Sequence, residues 1–365
     1  MKKLNVLHVI GSMNSGGAET FLMNIFRKAD RQKFNFYFLC YSDEKFDYED
    51  EIYRLGGTII RIKYSYKRII QNVKQIKEII KKYDIDIVHA HTYYNSVFSV
   101  IAAKQCKISS IVHAHSTKSV NSPNFLQKIY YAISKQLIRK NISMALACSE
   151  VAGKAMLGEN VKYQVLKNGI EISNFKYNKD KRKEVRNKYS IVESDTVFCC
   201  VARFEEVKNQ SFLVDVFKEY HEMNKNSKLI LVGRGSLKEK IAEKVENLGL
   251  KNDVIFTGVL SDVNLIYNAS DLFVLPSLFE GLGIVLIEAQ TNGLVCFASD
   301  NIPHEVDVTG NTHFLKLELG AKEWANIISN TDLSRYDEEE KVRDSGYSIS
   351  DVTKKLEKIY LELVW

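Results

Sequence analysis

The sequence contains little proline and no motif of paired cysteines. Only 3 prolines occur among 365 residues, which excludes a proline-rich linker. The 6 cysteines are scattered without a CxxC pair or a Cys/His cluster, so a structural zinc site is not expected. Most of them lie in apolar runs such as FCCVA and LVCFA, a usage typical of proteins in a reducing cytosol.

Long hydrophobic segments are also absent. No run approaches the roughly 18 apolar residues of a membrane-spanning helix. The early run LNVLHVI is too short for the apolar region of a secretory signal. We therefore expect a cytoplasmic protein, either free or peripheral at the inner face of the membrane.

Strand-like apolar runs alternate with helical stretches in both halves of the chain. The runs are near-continuous rather than alternating, as in strands buried on both faces of a parallel sheet. In the first half they are LNVLHVI, FNFYFLC, GTIIRI, DIDIVHA, SSIVHAH and MALACS; in the second half they are TVFCCVA, KLILVG, DVIFTG, DLFVLPS and LVCFAS. This pattern predicts an α/β protein with two sheets, which agrees with a typical domain length of about 150 residues.

The polar stretch NGIEISNFKYNKDKRKEV separates the two halves. We predict one domain over residues 1–167 and a second over residues 168–349. The terminal segment DVTKKLEKIYLELVW is typical of a closing helix, at about residues 350–365. Which of the two domains this helix packs against stays open, and a return to the first domain is one arrangement.

Adjacent glycines follow the first predicted strand. Gly16 and Gly17 precede a helix with inward apolar residues. Glycine lets the backbone approach a ligand closely, and the free N–H groups at a helix start favour a phosphate. A tight strand–helix turn is the alternative. The dinucleotide motif GxGxxG and the P-loop motif are both missing, which disfavours an NAD dehydrogenase.

Two cations follow the first strand of the second half. Open α/β sheets bind ligands at the carboxyl ends of their strands, where Arg203 and Lys208 are expected. The planar fork of an arginine beside a mobile ammonium group suits a diphosphate. The alternative is a surface salt bridge from Arg203 to Glu205 or Glu206, and position alone does not decide between the two.

The segment PSLFEGLGIVLIEAQ holds two glutamates around a glycine turn. Glu280 is expected on the loop after a strand, and Glu288 about two turns along an otherwise apolar helix. A carboxylate readily accepts hydrogen bonds from vicinal sugar hydroxyls, and this separation suits two contacts along one extended ligand. A solvated helix face is the alternative, but a buried Glu288 would need partners.

Together these motifs resemble the retaining nucleotide-sugar glycosyltransferases of family 4 (glycosyl transferases group 1), which have the GT-B fold. The spacing E-x7-E after PS carries the resemblance, with the Arg203 and Lys208 pair and the early glycine pair. The segments VHAH, VHAHS, ACSE and NGIE also fit it, and the match spans nearly the whole chain. It points to the bacterial capsular and exopolysaccharide branch. The fold it implies is two Rossmann-like domains with parallel sheets facing a cleft.

The resemblance implies a role for each matching residue. Arg203 and Lys208 would hold the donor diphosphate and stabilise the leaving group, without a metal ion. Glu288 would accept from the ribose hydroxyls, and Glu280 would contact the donor sugar. The remaining donor-binding positions would act through backbone groups or loop placement: Gly16 and Gly17 at the diphosphate, Gly258 by the base, and Gly281, Leu282 and Gly283 at the sugar.

This sequence departs from the family pattern at three positions. Ala202 stands where a glycine often precedes the arginine, while Gly283 and Val295 stand where proline is common. The donor preference of other members therefore does not transfer to this chain.

Four histidines form two HAH pairs, His89 with His91 and His113 with His115. Alternate residues of a strand point to one face, so each pair shares a side of its sheet. By the resemblance, His115 is the histidine expected beside the donor sugar, where it would hydrogen-bond the sugar or position the acceptor. A buried structural role is the alternative for any one of them, and a metal site is less favoured.

The net charge of +6 is divided unevenly along the chain. Residues 1–167 carry a net +13 and residues 168–365 a net −7. No acidic residue occurs from Ile87 to Ser149, a stretch that includes Lys104, Lys107, Lys118 and the segment NFLQKIYYAISKQLIRK. That segment suits an anionic membrane surface, and a core helix with a basic solvated face is the alternative. No nucleic-acid recognition module is found.

The sequence thus predicts a metal-independent, retaining glycosyltransferase. It would move a hexose from a nucleotide sugar, a UDP-sugar by preference, to a glycan acceptor that is plausibly lipid-linked, in bacterial surface polysaccharide synthesis. A nucleotide-sugar epimerase of the same fold and a non-enzymatic nucleotide-binding module are the alternatives.

Overall fold

The computed structural model describes residues 2–14, 16–65, 68–115, 124–159, 161–260 and 262–364. The chain divides into two compact units, Met1–Ile170 with Gly346–Trp365, and Glu171–Ser345. The sequence analysis placed its boundary after Lys167. Ser116 of the VHAHS segment and Lys118 of the basic stretch lie outside the described residues.

Strands β1 to β7 belong to the first unit and β8 to β13 to the second. Their bounds are β1 Leu4–Gly11, β2 Phe34–Cys40, β3 Thr58–Arg61, β4 Ile87–Ala90, β5 Ser109–Ala114, β6 Met144–Ala147, β7 Gln164–Val165, β8 Thr196–Val201, β9 Ser227–Val232, β10 Val254–Gly258, β11 Leu272–Leu275, β12 Val295–Ser299 and β13 Thr312–Leu315.

The helices lie between and after these strands. Their bounds are α1 Gly17–Lys28, α2 Glu49–Arg54, α3 Ile69–Lys82, α4 Ser96–Cys106, α5 Phe125–Asn141, α6 Glu150–Leu157, α7 Ile172–Phe175, α8 Lys179–Lys188, α9 Gln210–Met223, α10 Lys238–Asn247, α11 Asn264–Ala269, α12 Ile284–Thr291, α13 Gly320–Ser329, α14 Glu339–Val342 and α15 Ile349–Val364. Among the described helices, none is long and apolar enough to cross a lipid bilayer.

Each unit is built on one parallel sheet. The first has the order β3-β2-β1-β4-β5-β6-β7, and the second has the order β10-β9-β8-β11-β12-β13. Both faces of the first sheet are buried, which explains its near-continuous apolar strands: neighbouring Val6 and Leu7 of β1 enter cores on opposite faces. Helices α1 and α15 contribute to the core on the Val6 face.

The α/β class with two parallel sheets, predicted from the sequence, is confirmed. The sequence analysis missed β7, which has only two residues, and β13, whose sequence THFL mixes polar and apolar side chains. The closing helix α15 belongs to the first unit and packs on α1.

Parallel pairing brings the chemically distinctive residues to one edge of each sheet. In the second unit, Arg203 follows β8 and Glu280 follows β11, the strand paired with β8. In the first unit, Gly16 follows β1 and His115 follows β5 directly. These are the carboxyl ends of the strands, where ligands of open α/β sheets bind.

Candidate active site

Glu280 is held by two hydrogen bonds at the carboxyl edge of the second sheet. Lys208 Nζ lies 2.6 Å from its Oε1 atom, and Ser277 Oγ donates to the same oxygen at 2.8 Å. Both partners come from loops that follow strands, and Glu280 is 8% exposed. An ammonium group has three donors, so Lys208 can keep this ion pair and still donate to a phosphate.

Arg203 is held at its backbone, and its guanidinium lies at the surface. Gln210 Nε2 donates to the Arg203 carbonyl at 2.8 Å, which fixes the loop after β8. The side chain is 61% exposed and pairs with Glu205 at 2.7 Å. This is the surface salt bridge left open by the sequence. Such an exposed pair contributes only about 0–1 kcal/mol, so a diphosphate can displace it.

The carboxylate of Glu288, in α12, is buried and has one side-chain hydrogen bond among the described residues. It is 9% exposed, and Tyr267 donates its hydroxyl hydrogen to Oε2 at 2.9 Å. Burial raises the pKa of Glu288 to about 7, although the bond from Tyr267 opposes that rise. The solvated helix face considered above is therefore wrong for Glu288. A carboxylate in this environment destabilises the fold unless a ligand supplies further donors.

Two glycines of the second unit, Gly283 and Gly258, adopt left-handed backbone conformations. Gly283 has a φ of +83° and directly precedes α12, and Gly258 ends β10 with a φ of +72°. A side chain at either φ would be strained. No heavy atom lies within 4 Å of where a Cβ on Gly258 would stand. Leu282 is 5% exposed, so its side chain belongs to the core.

The glycine pair of the first unit begins α1. Gly17 is the first helical residue, and a Cβ added there would meet nothing within 4 Å. A Cβ on Gly16 would collide with the carboxylate of Glu19, in the first turn of the same helix. The free space beside this turn therefore lies at Gly17 and not at Gly16.

Five histidines gather on one face of the first sheet. To the predicted His89, His91, His113 and His115 the structure adds His8 of β1. His91 Nδ1 lies 2.8 Å from His115 Nε2, and His91 Nε2 lies 3.2 Å from His8 Nδ1. Two groups of three histidines have potential ligand atoms within 4.8 Å of one another.

The sequence analysis did not single out three residues that contact the groups described above, namely Tyr267, His8 and Ser277. Tyr267 lies in the short apolar helix α11 and has the pattern of a core residue. His8 is one residue of a buried strand. Only Ser277 had a signal, because it belongs to the PS dipeptide before Glu280.

Comparisons with known proteins identify the family. The family model "Glycosyltransferase Family 4" matches residues 15–174, and the model "Glycosyl transferases group 1" matches residues 181–327. A putative glycosyltransferase of Bacillus subtilis (strain 168), EpsF, is 33% identical over 89% of this chain and 86% of its own length. The chain belongs to the family 4 glycosyltransferases. The family predicted from the motifs is thus confirmed.

Two further proteins are similar to this glycosyltransferase along its whole length. CapH of Staphylococcus aureus, a capsular polysaccharide biosynthesis glycosyltransferase, is 28% identical over 98% of this chain and 99% of its own. The crystal structure of Anabaena HepE in complex with UDP and glucose has a TM-score of 0.79 at 18% identity, covering 99% of this chain and 100% of that one. The latter likeness establishes the fold.

The burial of Glu288 gives a prediction about stability. The pKa of Glu288 is about 7 in the folded state, above the ordinary value of 4.5. Ionisation of Glu288 therefore lowers the free energy of unfolding of wild type; this loss is absent below pH 4.5 and complete above pH 7. Glu288→Gln should therefore raise the free energy of unfolding at pH 8 by about 1–3 kcal/mol, a gain that shrinks towards pH 5.

Urea unfolding at several pH values measures this difference. Glu246→Gln is the matched control, because Glu246 is exposed and pairs with Lys251 on the surface; it should show no gain at pH 8. A Glu288→Gln variant that is less stable than wild type by the same amount at pH 5 and pH 8 would contradict the assignment.

Proposed function

We propose that this glycosyltransferase moves a sugar from a UDP-sugar to a growing bacterial surface glycan, with retention of configuration and without a metal ion. The observation that carries the proposal is a buried carboxylate with a single hydrogen bond among the described residues, Glu288, in the unit that also presents Arg203 and Lys208. The UDP and glucose bound by HepE and the capsular role of CapH support the donor and the pathway class.

Glu288 is suited to the ribose. Tyr267 occupies part of Oε2, which leaves acceptor positions on both carboxylate oxygens. Two vicinal hydroxyls would donate to these positions and stabilise the ionised form. Part of the cost of burying Glu288 is then recovered on binding.

Arg203 and Lys208 are suited to the diphosphate. The guanidinium offers a planar fork once it leaves Glu205, and the ammonium group donates while it stays on Glu280. Negative charge grows on the departing phosphate as the bond to the sugar breaks. Both cations therefore stabilise the transition state more than the bound donor.

The transfer step needs no dedicated side-chain base. The acceptor hydroxyl oxygen forms a bond to the anomeric carbon on the face from which the phosphate leaves. The bond from that carbon to the phosphate oxygen breaks, and the hydroxyl proton passes to the same oxygen. Glu280, fixed by Lys208 and Ser277, would hydrogen-bond the sugar during this step.

A thermal-shift screen with UDP-, GDP- and ADP-sugars tests the donor. A true donor raises the unfolding temperature by mass action, so UDP-sugars should stabilise the protein more than the others. Mass analysis of products with a glycan acceptor then separates transfer from epimerisation. Stabilisation by GDP- or ADP-sugars alone would contradict the proposed donor, and a converted nucleotide sugar without an acceptor would contradict transfer.

Arg203→Ala should lower kcat by roughly 100-fold or more, because one preorganised donor to the developing charge is lost. Arg203→Lys should recover part of the rate, because lysine restores the positive charge but not the planar set of N–H donors of the guanidinium. The control is Lys251→Ala, which removes an exposed cation paired with Glu246 and should leave kcat unchanged. Near-normal turnover of a folded Arg203→Ala variant would rule out the assigned role.

The acceptor side of the proposal rests on α5. One face of the helix packs on the core through Ile138, but other apolar residues are exposed: Phe125 is 76% exposed, Leu126 75% and Ile133 55%. The capping box formed by Asn124 and Gln127 holds the first turn in place. Helix α5 thus packs on the core with one face and leaves a second, partly apolar face exposed.

Positive charge accompanies the exposed apolar residues. Helix α5 has no acidic residue, and exposed cations follow it to its end: Lys128, Arg139 and Lys140. Each cation near an anionic bilayer contributes about 1 kcal/mol, and apolar side chains insert at the headgroup boundary. We propose that α5 lies on an anionic membrane, where a lipid-linked acceptor is reached.

The double variant Phe125→Gln with Leu126→Gln should weaken binding to phosphatidylglycerol vesicles roughly tenfold or more, because two large apolar side chains no longer insert. Vesicle co-sedimentation of the full chain measures this, with Met223→Gln as the control because Met223 is 51% exposed in the second unit. Wild-type binding should also fall with added salt. Equal binding of the double variant and wild type would argue against the α5 surface.

A further inference from the structure

One hydrogen bond joins two neighbouring helices of the second unit. Tyr267 of α11 is fully buried, and its hydroxyl donates to Oε2 of Glu288, in α12, at 2.9 Å. Burial, together with the adjacent carboxylate, raises the pKa of Tyr267 well above its ordinary value of 10. The phenol therefore keeps its proton near pH 7, which fixes the direction of the bond: Tyr267 donates and Glu288 accepts.

The ring of Tyr267 is held in place by its neighbours. It makes an edge-to-face contact with Phe273 of β11, with the ring centroids 5.8 Å apart, and a tilted contact with Phe175 of α7 at 6.1 Å. These contacts do not involve the hydroxyl group. A phenylalanine can therefore occupy the same place, and loss of the hydrogen bond can be separated from loss of packing.

A single arginine ties the carboxyl-terminal ends of the two helices together. Arg335 lies on the loop between α13 and α14. Its Nη2 atom donates to the carbonyls of Ser270 at 2.6 Å and Tyr267 at 3.2 Å, at the end of α11. Its Nη1 atom donates to the carbonyl of Asn292 at 2.6 Å, at the end of α12, and to the side-chain oxygen of the same residue. Since the last carbonyls of a helix lack partners within it, one guanidinium satisfies both ends and sets α11 against α12.

The loop that carries Arg335 is itself seated closely on the second unit. The guanidinium lies over the ring of Tyr177, 4.2 Å from its centroid. Gly293, directly after Asn292, has a φ of +81°, and a Cβ added there would collide with the carbonyl of Tyr336. Burial lowers the pKa of Arg335 to about 10, so the side chain is still charged near pH 7. The arginine is therefore fixed from several sides.

The bond from Tyr267 favours the ionised form of Glu288. Burial raises the pKa of Glu288 to about 7, and the hydroxyl opposes that rise because it donates to the charged form. Two further titratable groups act on the Tyr267 phenol, the thiols of Cys199 in β8 and Cys296 in β12. Burial raises the pKa of both thiols, so they are neutral near pH 7. The balance between the two forms of Glu288 thus depends on burial and on Tyr267.

We propose that Tyr267 and Arg335 are positioning residues of the donor site: Tyr267 keeps Glu288 in the ionised form that accepts hydrogen bonds from the ribose, and Arg335 keeps Tyr267 within reach of Glu288. Neither residue touches the ligand. The ribose contact rests on the proposed function, whereas the coupling of Tyr267 to Glu288 does not.

This arrangement makes the affinity for the donor depend on pH. A protonated carboxyl group uses one oxygen as a donor and loses acceptor positions that two vicinal hydroxyls need. With a pKa of about 7, Glu288 is ionised above pH 7 and becomes protonated below it. The dissociation constant should therefore be constant above pH 7 and rise as the pH falls below it.

Calorimetric titration of the full chain with UDP from pH 6 to pH 9 tests the role of Tyr267. Loss of a hydrogen bond to a charged group lowers the ionisation constant of Glu288 roughly tenfold or more. Tyr267→Phe should therefore raise the dissociation constant roughly fivefold or more at pH 7, and the ratio to wild type should fall towards one by pH 9. Using this ratio cancels the titration of UDP itself.

Tyr220→Phe is the matched control for this titration. Tyr220 is a buried tyrosine of α9 whose ring packs against Phe198, away from α11 and α12. Its variant should bind UDP as wild type does at every pH. A Tyr267→Phe variant that matches wild type throughout, or that is weaker by the same factor at pH 7 and pH 9, would overturn the role of Tyr267.

Carbon NMR of wild type labelled with ¹³C-tyrosine tests the coupling even where Tyr267→Phe fails to fold. The ring carbon that bears the Tyr267 hydroxyl should shift with a midpoint near pH 7, following the ionisation of Glu288. This titration should vanish in Glu288→Gln, which also assigns the signal. If no tyrosine signal loses a titration near pH 7 in Glu288→Gln, the coupling is ruled out.

A double-mutant cycle tests Arg335. Arg335→Lys keeps the charge but loses the planar set of donors, so UDP binding at pH 7 should weaken roughly threefold. In the Tyr267→Phe background the same change should have no further effect, because Arg335 acts through Tyr267. Unchanged binding in the first background, or an equal loss in both, would overturn the role of Arg335. Failure of the proposed function has a different signature, namely that wild type binds no UDP at any pH while the Tyr267 signal still titrates.

Discussion

Parallel pairing of the strands is the constraint on which both candidate sites depend. Since every strand in each described sheet runs the same way, all loops that leave carboxyl ends gather at one edge. Lys208 and Glu280 are 72 positions apart in sequence, yet they form an ion pair of 2.6 Å because β8 and β11 are neighbours. In the first unit, the pairing of β1 with β4 likewise sets His8 beside His89 in register. The chemistry of each unit is thus a consequence of strand order.

The charged groups of the second unit are compensated to different degrees by their neighbours. Glu280 is fixed by two donors, Arg203 is paired loosely at the surface, and Glu288 is buried with one hydrogen bond. Residues 168–365 carry a net −7, so the potential that would hold a diphosphate comes from a few placed cations and backbone N–H groups rather than from the whole unit. A fixed carboxylate suits orientation of a sugar, whereas a displaceable cation suits a charge that grows during reaction.

Sequence patterns predicted the elements whose signal is local. The near-continuous apolar runs predicted the strands, apart from β7 and β13. Motif spacing brought out Glu280 and Glu288, but not Tyr267, whose contact with Glu288 depends on how α11 packs on α12. For α5 the sequence left a membrane surface and a core helix open, since a helical apolar stripe does not reveal whether other residues cover it; in the structure Phe125 and Leu126 are exposed and Ile138 is buried. What was missed depends on tertiary contacts between distant segments.

Glu288 lacks the partners that burial normally requires. Its carboxylate has acceptor positions left over after Tyr267. A fold selected only for stability would replace this group, because an unsatisfied buried group costs about 1–3 kcal/mol. The ribose of a nucleotide sugar would supply the missing partners, because its hydroxyls donate hydrogen bonds. The stabilisation expected for Glu288→Gln at pH 8 is therefore the measure of what the fold gives up to keep a binding group.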